Sequence, residues 1–310
     1  MTPVPDYSLR QLSYLVAVSD AGSMTAAAER CYVTQAAISA AIRDLERILG
    51  VALVARRPGR GVSLTEAGAG LVAGSRRLLQ LAGELHDNVR VPRGSLRGRV
   101  ALGCFPTLTP LYVPLLFQVL EQEHPDAHLE VIEGSQDELN SAAVSGACDV
   151  VLTYDTGLAD ELQPWVVDVA EPYLLLPADH RLGSRDSLEL RDLADEPLIL
   201  FGLSPGPGNA EALLREAGAT PRIVHRPTNI EMVRSMVARG LGWTILVQQW
   251  PTNVSMDGLR LLQRPLAPTA PTYRVVVART RSSQKSRRHS AAADVVGRVT
   301  RMAATSQQPA

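Results

Sequence analysis

The stretch Ser23–Gly50, SMTAAAERCYVTQAAISAAIRDLERILG, decides the reading of this chain. Two helix-start signals sit inside it. Ser23 precedes MTAAAERCY and Thr34 precedes QAAISAAIRDLERILG; each hydroxyl can accept a hydrogen bond from a free amide of the turn that follows. Only a tight turn fits between the two runs, around Tyr32 and Val33, and two short helices joined so closely make a helix-turn-helix. In the second helix Ile38, Ile42, Leu45 and Leu49 recur at helical spacing and are expected to be buried. Gln35, Ala36, Ser39 and Arg43 fall on the other side and are expected to point outward. That face is slim at its start and carries amide, hydroxyl and guanidinium groups, which can bond base edges and phosphates in a DNA groove. An ordinary amphipathic hairpin would share the spacing, so the flanking segments must decide.

Upstream, residues 1–8 form a loose leader with Pro3 and Pro5, and Leu9 to Asp20 is a supporting helix with Leu12, Leu15, Val16 and Val18 at helical spacing. Downstream, VALVARRPGRGVSLT alternates and turns at Pro58-Gly59, which predicts a small β-wing. Arg56, Arg57 and Arg60 cluster at its tip. They could be a solvated loop, but directly after a helix-turn-helix they favour contact with the sugar-phosphate backbone or minor groove. Thr65 to about Val89 reads as a long helix in which Leu64, Leu71, Leu78 and Leu85 keep heptad spacing, joined by Leu81 and Ala82. Such a seam predicts pairing with a second copy of the helix, against the alternative of packing within one chain. Gly68, Gly70, Gly74 and Gly83 each lower its intrinsic helicity by about 1 kcal/mol relative to Ala, so this helix needs a partner.

Leu9 to Leu85 resembles the amino-terminal part of LysR-type transcriptional regulators, in LRQLSYLVAVSDAGSMTAAAERCYVTQAAISAAIRDLERILGVALVARR and then in GVSLTEAG. The fold this implies is α/β with an N-terminal all-α winged helix-turn-helix. The winged head spans residues 1–64, a dimerising linker helix 65–90 and a hinge 91–97. A two-lobed, periplasmic-binding-protein-like (type 2) effector domain fills 98–310, with lobe I about 98–168 and 269–302 and lobe II about 169–268. The resemblance implies double-stranded DNA with a pseudo-palindromic site as partner. It also implies a small-molecule effector, a homodimer through the linker helix, and two dimers joined as a homotetramer that bends DNA. It leaves RNA polymerase open as a further partner and places the protein in the cytoplasm, at the nucleoid. Candidate DNA contacts are Ser23, Thr25, Arg30, Thr34, Gln35, Ala36, Ser39, Arg43, Arg56, Arg57 and Arg60.

Composition agrees without deciding. The chain has 310 residues, 45% hydrophobic and 20% charged, room for two or three soluble domains. Net charge is −1; residues 1–64 hold seven Arg against five acidic residues, leaving −3 for the rest. Lys285 is the only lysine, so Arg, whose planar fork suits phosphate and guanine, carries almost all positive charge. Cys31, Cys104 and Cys148 are widely separated, giving neither a disulfide framework nor a CxxC metal pattern. No apolar run reaches membrane-spanning length and the start has no signal-peptide core. Neither membrane nor cofactor nor metal is expected.

Beyond the hinge, RVALGC, HLEVIEG and DVVLTY are strand-like, with helices at about Pro110–Glu123 and Gln136–Val144 between them. A second set follows: YLLLPA, LILFGL, RIVHR and WTILV, with helices near Ser187–Leu193, Asn209–Ala217 and Asn229–Arg239. The alternation predicts parallel sheets. TYRVVVART, late in the chain, rejoins the first lobe if the chain crosses twice, and a last helix spans Ser290–Met302. The basic run Arg281, Lys285, Arg287 and Arg288 reads as a solvated loop.

Ligands of open α/β sheets sit outside the carboxyl ends of strands, where helix starts bring free amides. Four turns qualify: Phe105–Leu108, Gly134–Gln136, Phe201–Ser204 and Pro227–Asn229. The resemblance adds that Thr107 and Ser135 match effector-contacting positions. The candidate effector residues are Thr107, Leu108, Ser135, Gln136, Thr153, Phe201, Gly202, Leu203 and Asn229. Hydroxyls at helix starts suit an anionic or carboxylate-bearing metabolite; Leu108, Phe201 and Trp243 are candidates for apolar walls, Trp243 equally for the core. Three departures from the family stand out. Ala40 and Ala41 follow the central serine where polar side chains are usual, Val54 replaces the usual Phe before the wing, and Tyr154 stands where some members hold a ligand-binding Arg.

Rival functions find less support. The six histidines show no triad or metal spacing; HPDAH at 124–128 is interrupted by Pro125 and reads as a surface loop. No GxSxG, HExxH or phosphate-loop pattern appears, so an enzyme is not expected. A redox sensor would need cysteines in the second lobe, where there are none, and Cys104 is read as a buried structural thiol. A solute-binding protein leaves the reading head unexplained.

Overall fold

α1 (Leu9–Ala21) starts at Ser8 in a capping box, in which the Gln11 amide donates to the Ser8 hydroxyl and the Ser8 amide to the Gln11 side chain. α2 (Met24–Arg30) starts at Ser23 and α3 (Gln35–Leu49) at Thr34, whose hydroxyl accepts from the Ala37 amide at 3.2 Å. α1 and α3 end on Gly22 and Gly50 with φ of 62° and 68°, a left-handed turn that glycine adopts without strain. The computed structural model describes residues 5–57, 61–90, 96–268, 271–281, 283 and 286–307. The chain divides into two units, Met1–Arg93 with Ser145–Ala147, and Gly94–Val144 with Cys148–Ala310.

In the first unit Leu12, Leu15, Val18, Ile38, Ile42 and Leu45 close one core with Met24, Ala27 and Leu53. Each fully buried aliphatic side chain of this size contributes about 1.5–3 kcal/mol. Leu49, expected in that core, is 36% exposed because the helix runs past the packed ridge into its cap. β1 (Val54–Arg57) and β2 (Gly61–Leu64) form the antiparallel hairpin expected of the wing. Glu46 anchors its entry, accepting from the Leu53 and Val54 amides at 2.8 and 3.2 Å. Residues 58–60 and the side chains of Arg56 and Arg57 lie outside the described residues.

α4 (Glu66–Arg90) is continuous through its four glycines. One is there for contact: a Cβ on Gly68 would sit 2.0 Å from the Leu53 carbonyl oxygen, so only glycine lets α4 close on the head. Val72 and Ser75 are buried beyond it, and an Arg76–Asp20 ion pair ties α4 to α1. Leu78 and Leu81, on the heptad seam, are 44% and 56% exposed. The Leu85 side chain and residues 91–95 of the expected hinge lie outside the described residues.

The second unit holds β3 (Gly98–Cys104), α5 (Thr109–Glu123), β4 (Ala127–Glu133), α6 (Gln136–Val144), β5 (Val150–Tyr154), β6 (Leu162–Ala170) and β7 (Tyr173–Pro177). There follow β8 (Leu198–Ile199), α7 (Gly206–Glu216), β9 (Ile223–His225), α8 (Ile230–Ala238), β10 (Thr244–Leu246), β11 (Leu261–Pro265), β12 (Tyr273–Thr280) and α9 (Arg287–Gln307). The first lobe is a five-stranded sheet ordered β4-β3-β5-β12-β6. β3 runs parallel to β4 and β5, whereas β12 is antiparallel to β5 and β6. In the second lobe β7 pairs antiparallel with β10 and β11, while β8 and β9 are parallel. The first-lobe sheet is therefore mixed rather than parallel, because β12 returns from the other lobe and enters reversed, while the second lobe holds an antiparallel three-stranded sheet and a separate parallel pair. The expected helix near Ser187–Leu193 is a single 3-10 turn, Leu190–Leu193. β6 was not legible as a strand: it pairs only at the sheet edge, carries Pro164, and leaves Trp165 and Val166 exposed. Among the described residues no helix is long and apolar enough to cross a membrane.

Candidate nucleic-acid interface and effector cleft

The first turn of α3 is open to solvent. Thr34, Gln35, Ala36, Ala37 and Ala40 are exposed, as are Thr25 and Arg30 on α2. Ser23 and Thr34 are engaged as helix caps, so their part is first to fix where α2 and α3 begin. Ser39 corrects the expectation of an outward hydroxyl: it is 7% exposed, and its Oγ accepts from Arg43 Nη1 at 3.1 Å. Ser39 thus orients the exposed Arg43 and is itself covered. Tyr32, in the turn, is 95% exposed and holds φ at 55°, an unusual conformation for a bulky residue, and sequence reasoning passed over it.

In the second unit a cleft opens where strand ends of the two lobes meet, with about 630 Å³ of empty space including its mouth. Phe105 and Thr107, after β3, and Tyr154, at the end of β5, contribute from one lobe; Phe201, Asn209, Gln248 and Trp250 contribute from the other. Thr107 Oγ1 and the Tyr154 hydroxyl are 3.2 Å apart, and the Phe105 and Tyr154 rings meet edge to face with centroids at 5.5 Å. Burial pushes the Tyr154 phenol far above its usual range, with the Thr107 bond pulling the other way, so it stays neutral. The Gln136 amide donates to the Ser204 carbonyl at 3.1 Å, a backbone bond joining the start of α6 to the loop before α7. No charged side chain lines the cleft among the described residues.

Two family profiles match: "Bacterial regulatory helix-turn-helix protein, lysR family" over residues 9–69, and "LysR substrate binding domain" over residues 93–301. The chain belongs to the LysR family. It is a ligand-responsive, DNA-binding transcriptional regulator of that type, and the expected fold class holds. The DNA-binding transcriptional dual regulator OxyR of Escherichia coli is 32% identical over 77% of this chain and 78% of its own length. HinK, a LysR family transcriptional regulator from Pseudomonas aeruginosa, is 31% identical over 94% of this chain and 98% of its own, with a TM-score of 0.62. Full-length OxyR from P. aeruginosa reaches a TM-score of 0.75 at 25% identity, covering 95% of this chain and 98% of its own.

Of the effector residues read from the sequence of this LysR-type regulator, Thr107 and Phe201 line the cleft. The others do different work. Leu108 is fully buried in the core, and so is Trp243, whose indole N–H donates to the Glu196 carbonyl. Thr153 donates to Gln136 Oε1 at 2.6 Å, and both are sealed, locking α6 to β5. Ser135 is occupied: its amide and hydroxyl both donate to the Glu138 carboxylate at 2.8 Å, which holds that carboxyl below its ordinary range. Asn229 is exposed and caps α8 through the Met232 amide at 3.0 Å. Gly202 brings two segments together, since a Cβ there would lie 2.7 Å from the Arg226 carbonyl oxygen, and Leu203 packs against the core. Asn209, Gln248 and Trp250 were missed as lining residues, and Tyr154 was noted only as a departure at a ligand-binding position. The strand-end rule would have found Gln248 had it been applied to the end of β10 in WTILVQQW.

Proposed function

We propose that two copies of this chain pair through α4 and present α3 to a pseudo-palindromic promoter site, changing transcription when a small molecule fills the cleft. The observation that carries the DNA half is the exposed, uncharged first turn of α3 backed by Arg43. Gln35 and Arg43 read base edges there, Tyr32, Thr25 and Arg30 flank the groove, and Arg56, Arg57 and Arg60 grip phosphates from the wing. The exposed Leu78 and Leu81 support pairing through α4. Two such dimers form the tetramer. The protein works in the cytoplasm at the nucleoid, with RNA polymerase as its partner on the promoter. A ligand acts only through different affinities for two arrangements of the assembly. The test is footprinting on genomic fragments: a protected site with two half-sites about one helical turn apart or a multiple is expected. Uniform, sequence-independent protection would reject the reading.

Peroxide sensing through thiols, which the relatives named hydrogen peroxide-inducible genes activators suggest, has less behind it. Cys104 and Cys148 are buried, and burial pushes each thiol up to about 12, which leaves almost no thiolate to react.

A further inference from the structure

We infer that the cleft takes an uncharged, mostly apolar molecule offering one hydrogen-bond donor and one acceptor, such as a ring carrying a primary amide or a lactam edge. This rests on the cleft being the effector site. Its walls are apolar, with Phe105, Phe201, Leu213, Ile230, Ile245 and Leu246 among them. A carboxylate entering would lose its water and meet no counter-charge on the lining. Two helix starts near it are filled, α6 by Glu138 and α8 by Asn229. α5 and α7 have no side-chain cap, but Pro110 and Pro207 carry no amide hydrogen, and the Thr109 and Gly206 amides already donate to the Phe105 and Leu203 carbonyls. Arg234 does not line the cavity. It lies over the Trp250 ring at 5.0 Å, donates to the Thr252 and Val254 carbonyls, and is paired with Glu231 at 2.9 Å, though without hydrogen-bond alignment at Nε.

Among the described residues, two polar atoms of the lining are unsatisfied. Gln248 is 8% exposed and its Oε1 meets no partner among the described residues, nor does the Trp250 Nε1–H, which is shut off from water. Buried polar groups are almost always paired, so these two await an occupant: Gln248 needs a donor and Trp250 an acceptor. A neutral amide supplies both. A carboxylate supplies acceptors only, and the Gln248 oxygen would repel it.

Calorimetric titration of the full chain with three probes of similar shape, benzamide, benzoate and toluene, tests this. Benzamide is expected to bind at least roughly tenfold tighter than either of the others. Trp250→Phe, which keeps the ring and removes the donor, and Gln248→Met should each erase most of that advantage while toluene binding stays as it was. Circular dichroism checks that the variants fold. Ala210→Phe, filling the cavity wall, should abolish binding of all three. Benzoate binding more tightly than benzamide, and lost in Ala210→Phe, overturns the ligand class but leaves the cleft as the site. Benzamide binding untouched by Ala210→Phe defeats the cleft reading itself, and no benzamide binding in the millimolar range overturns the inference.

Discussion

Thr107 Oγ1 and the Tyr154 hydroxyl lie 3.2 Å apart in the lining of the cleft, each the other's polar partner. The pair is neutral, and no charged side chain stands beside it in the lining among the described residues. Removing one hydroxyl strands the other in a buried setting, at a cost of about 1–3 kcal/mol, whereas removing both is close to neutral. Thr107→Val and Tyr154→Phe should therefore each lower the urea midpoint, and the double variant should recover most of the loss. Additive losses would show that the hydroxyls do not depend on one another.

His289 sits 1% exposed with Nδ1 2.8 Å from Ser286 Oγ and Nε2 3.3 Å from Asp149 Oδ1. The neutral ring, protonated on Nε2, can donate to Asp149 and accept from Ser286. The three side chains form a sealed clasp, in which Ser286 also caps α9 and Asp149 accepts from the Ala101 amide. Burial lowers the His289 pKa, Asp149 partly offsets this, and Arg288 and Arg279 push it further down. The unfolded chain then takes up the proton first, at its ordinary value near 6.5. Stability from the neutral ring is whole above that pH and drains away as pH falls towards the lowered folded value. Melts between pH 7.5 and about pH 5 should show a declining Tm, less steep in His289→Gln; parallel profiles would remove His289 as the cause.

Gly68 and Gly70 look alike in sequence and should respond oppositely. A Cβ on Gly68 meets the Leu53 carbonyl at 2.0 Å, whereas nothing lies within 4 Å of one on Gly70. Gly68→Ala should destabilise the head by about 1–3 kcal/mol through overpacking. Gly70→Ala should stabilise α4 by about 0.5–1 kcal/mol. Thermal melts separate the two, and equal shifts would mean that α4 does not close on Leu53.

Leu78→Glu with Leu81→Glu places charge on the exposed seam of α4. Sedimentation should show the dissociation constant of the pair of copies rising by at least roughly tenfold. An unaltered distribution would move the contact to another surface.

Gln35→Ala should reduce binding to a specific site far more than binding to random DNA, since a base-edge contact is worth about 1–3 kcal/mol and carries the discrimination. Ser39→Ala acts indirectly, through a loosened Arg43, and should cost less than Arg43→Ala in the same gel-shift assay. A larger loss for Ser39→Ala would mean that the hydroxyl itself reaches DNA.

Residue order alone determined the reading head. Its caps at Ser23 and Thr34, its apolar ridge from Ile38 to Leu45, the wing hairpin and the heptad helix are local patterns, set by neighbours within a few positions. The alternation of strands and helices likewise announced two α/β lobes and the late return of β12. Tertiary structure decided what local pattern cannot carry. Whether a strand end opens on a cavity or a core depends on what crosses above it: Leu108 and Thr107 are adjacent, yet one is core and the other lines the cleft. Ser135 promised a seat for an anion until Glu138, three residues on, folded back to take it. Ser39 is covered, its hydroxyl taken by Arg43 one helical turn on, and Gln248 and Trp250 follow β10 into a cleft whose other wall is made by Phe105, Thr107 and Tyr154, far earlier in the chain. Short-range periodicity sets helices and strands; which of their polar groups remain free is decided by the folded arrangement of side chains, one turn away at Ser39 and Ser135 and far off in sequence at Thr107 and Tyr154.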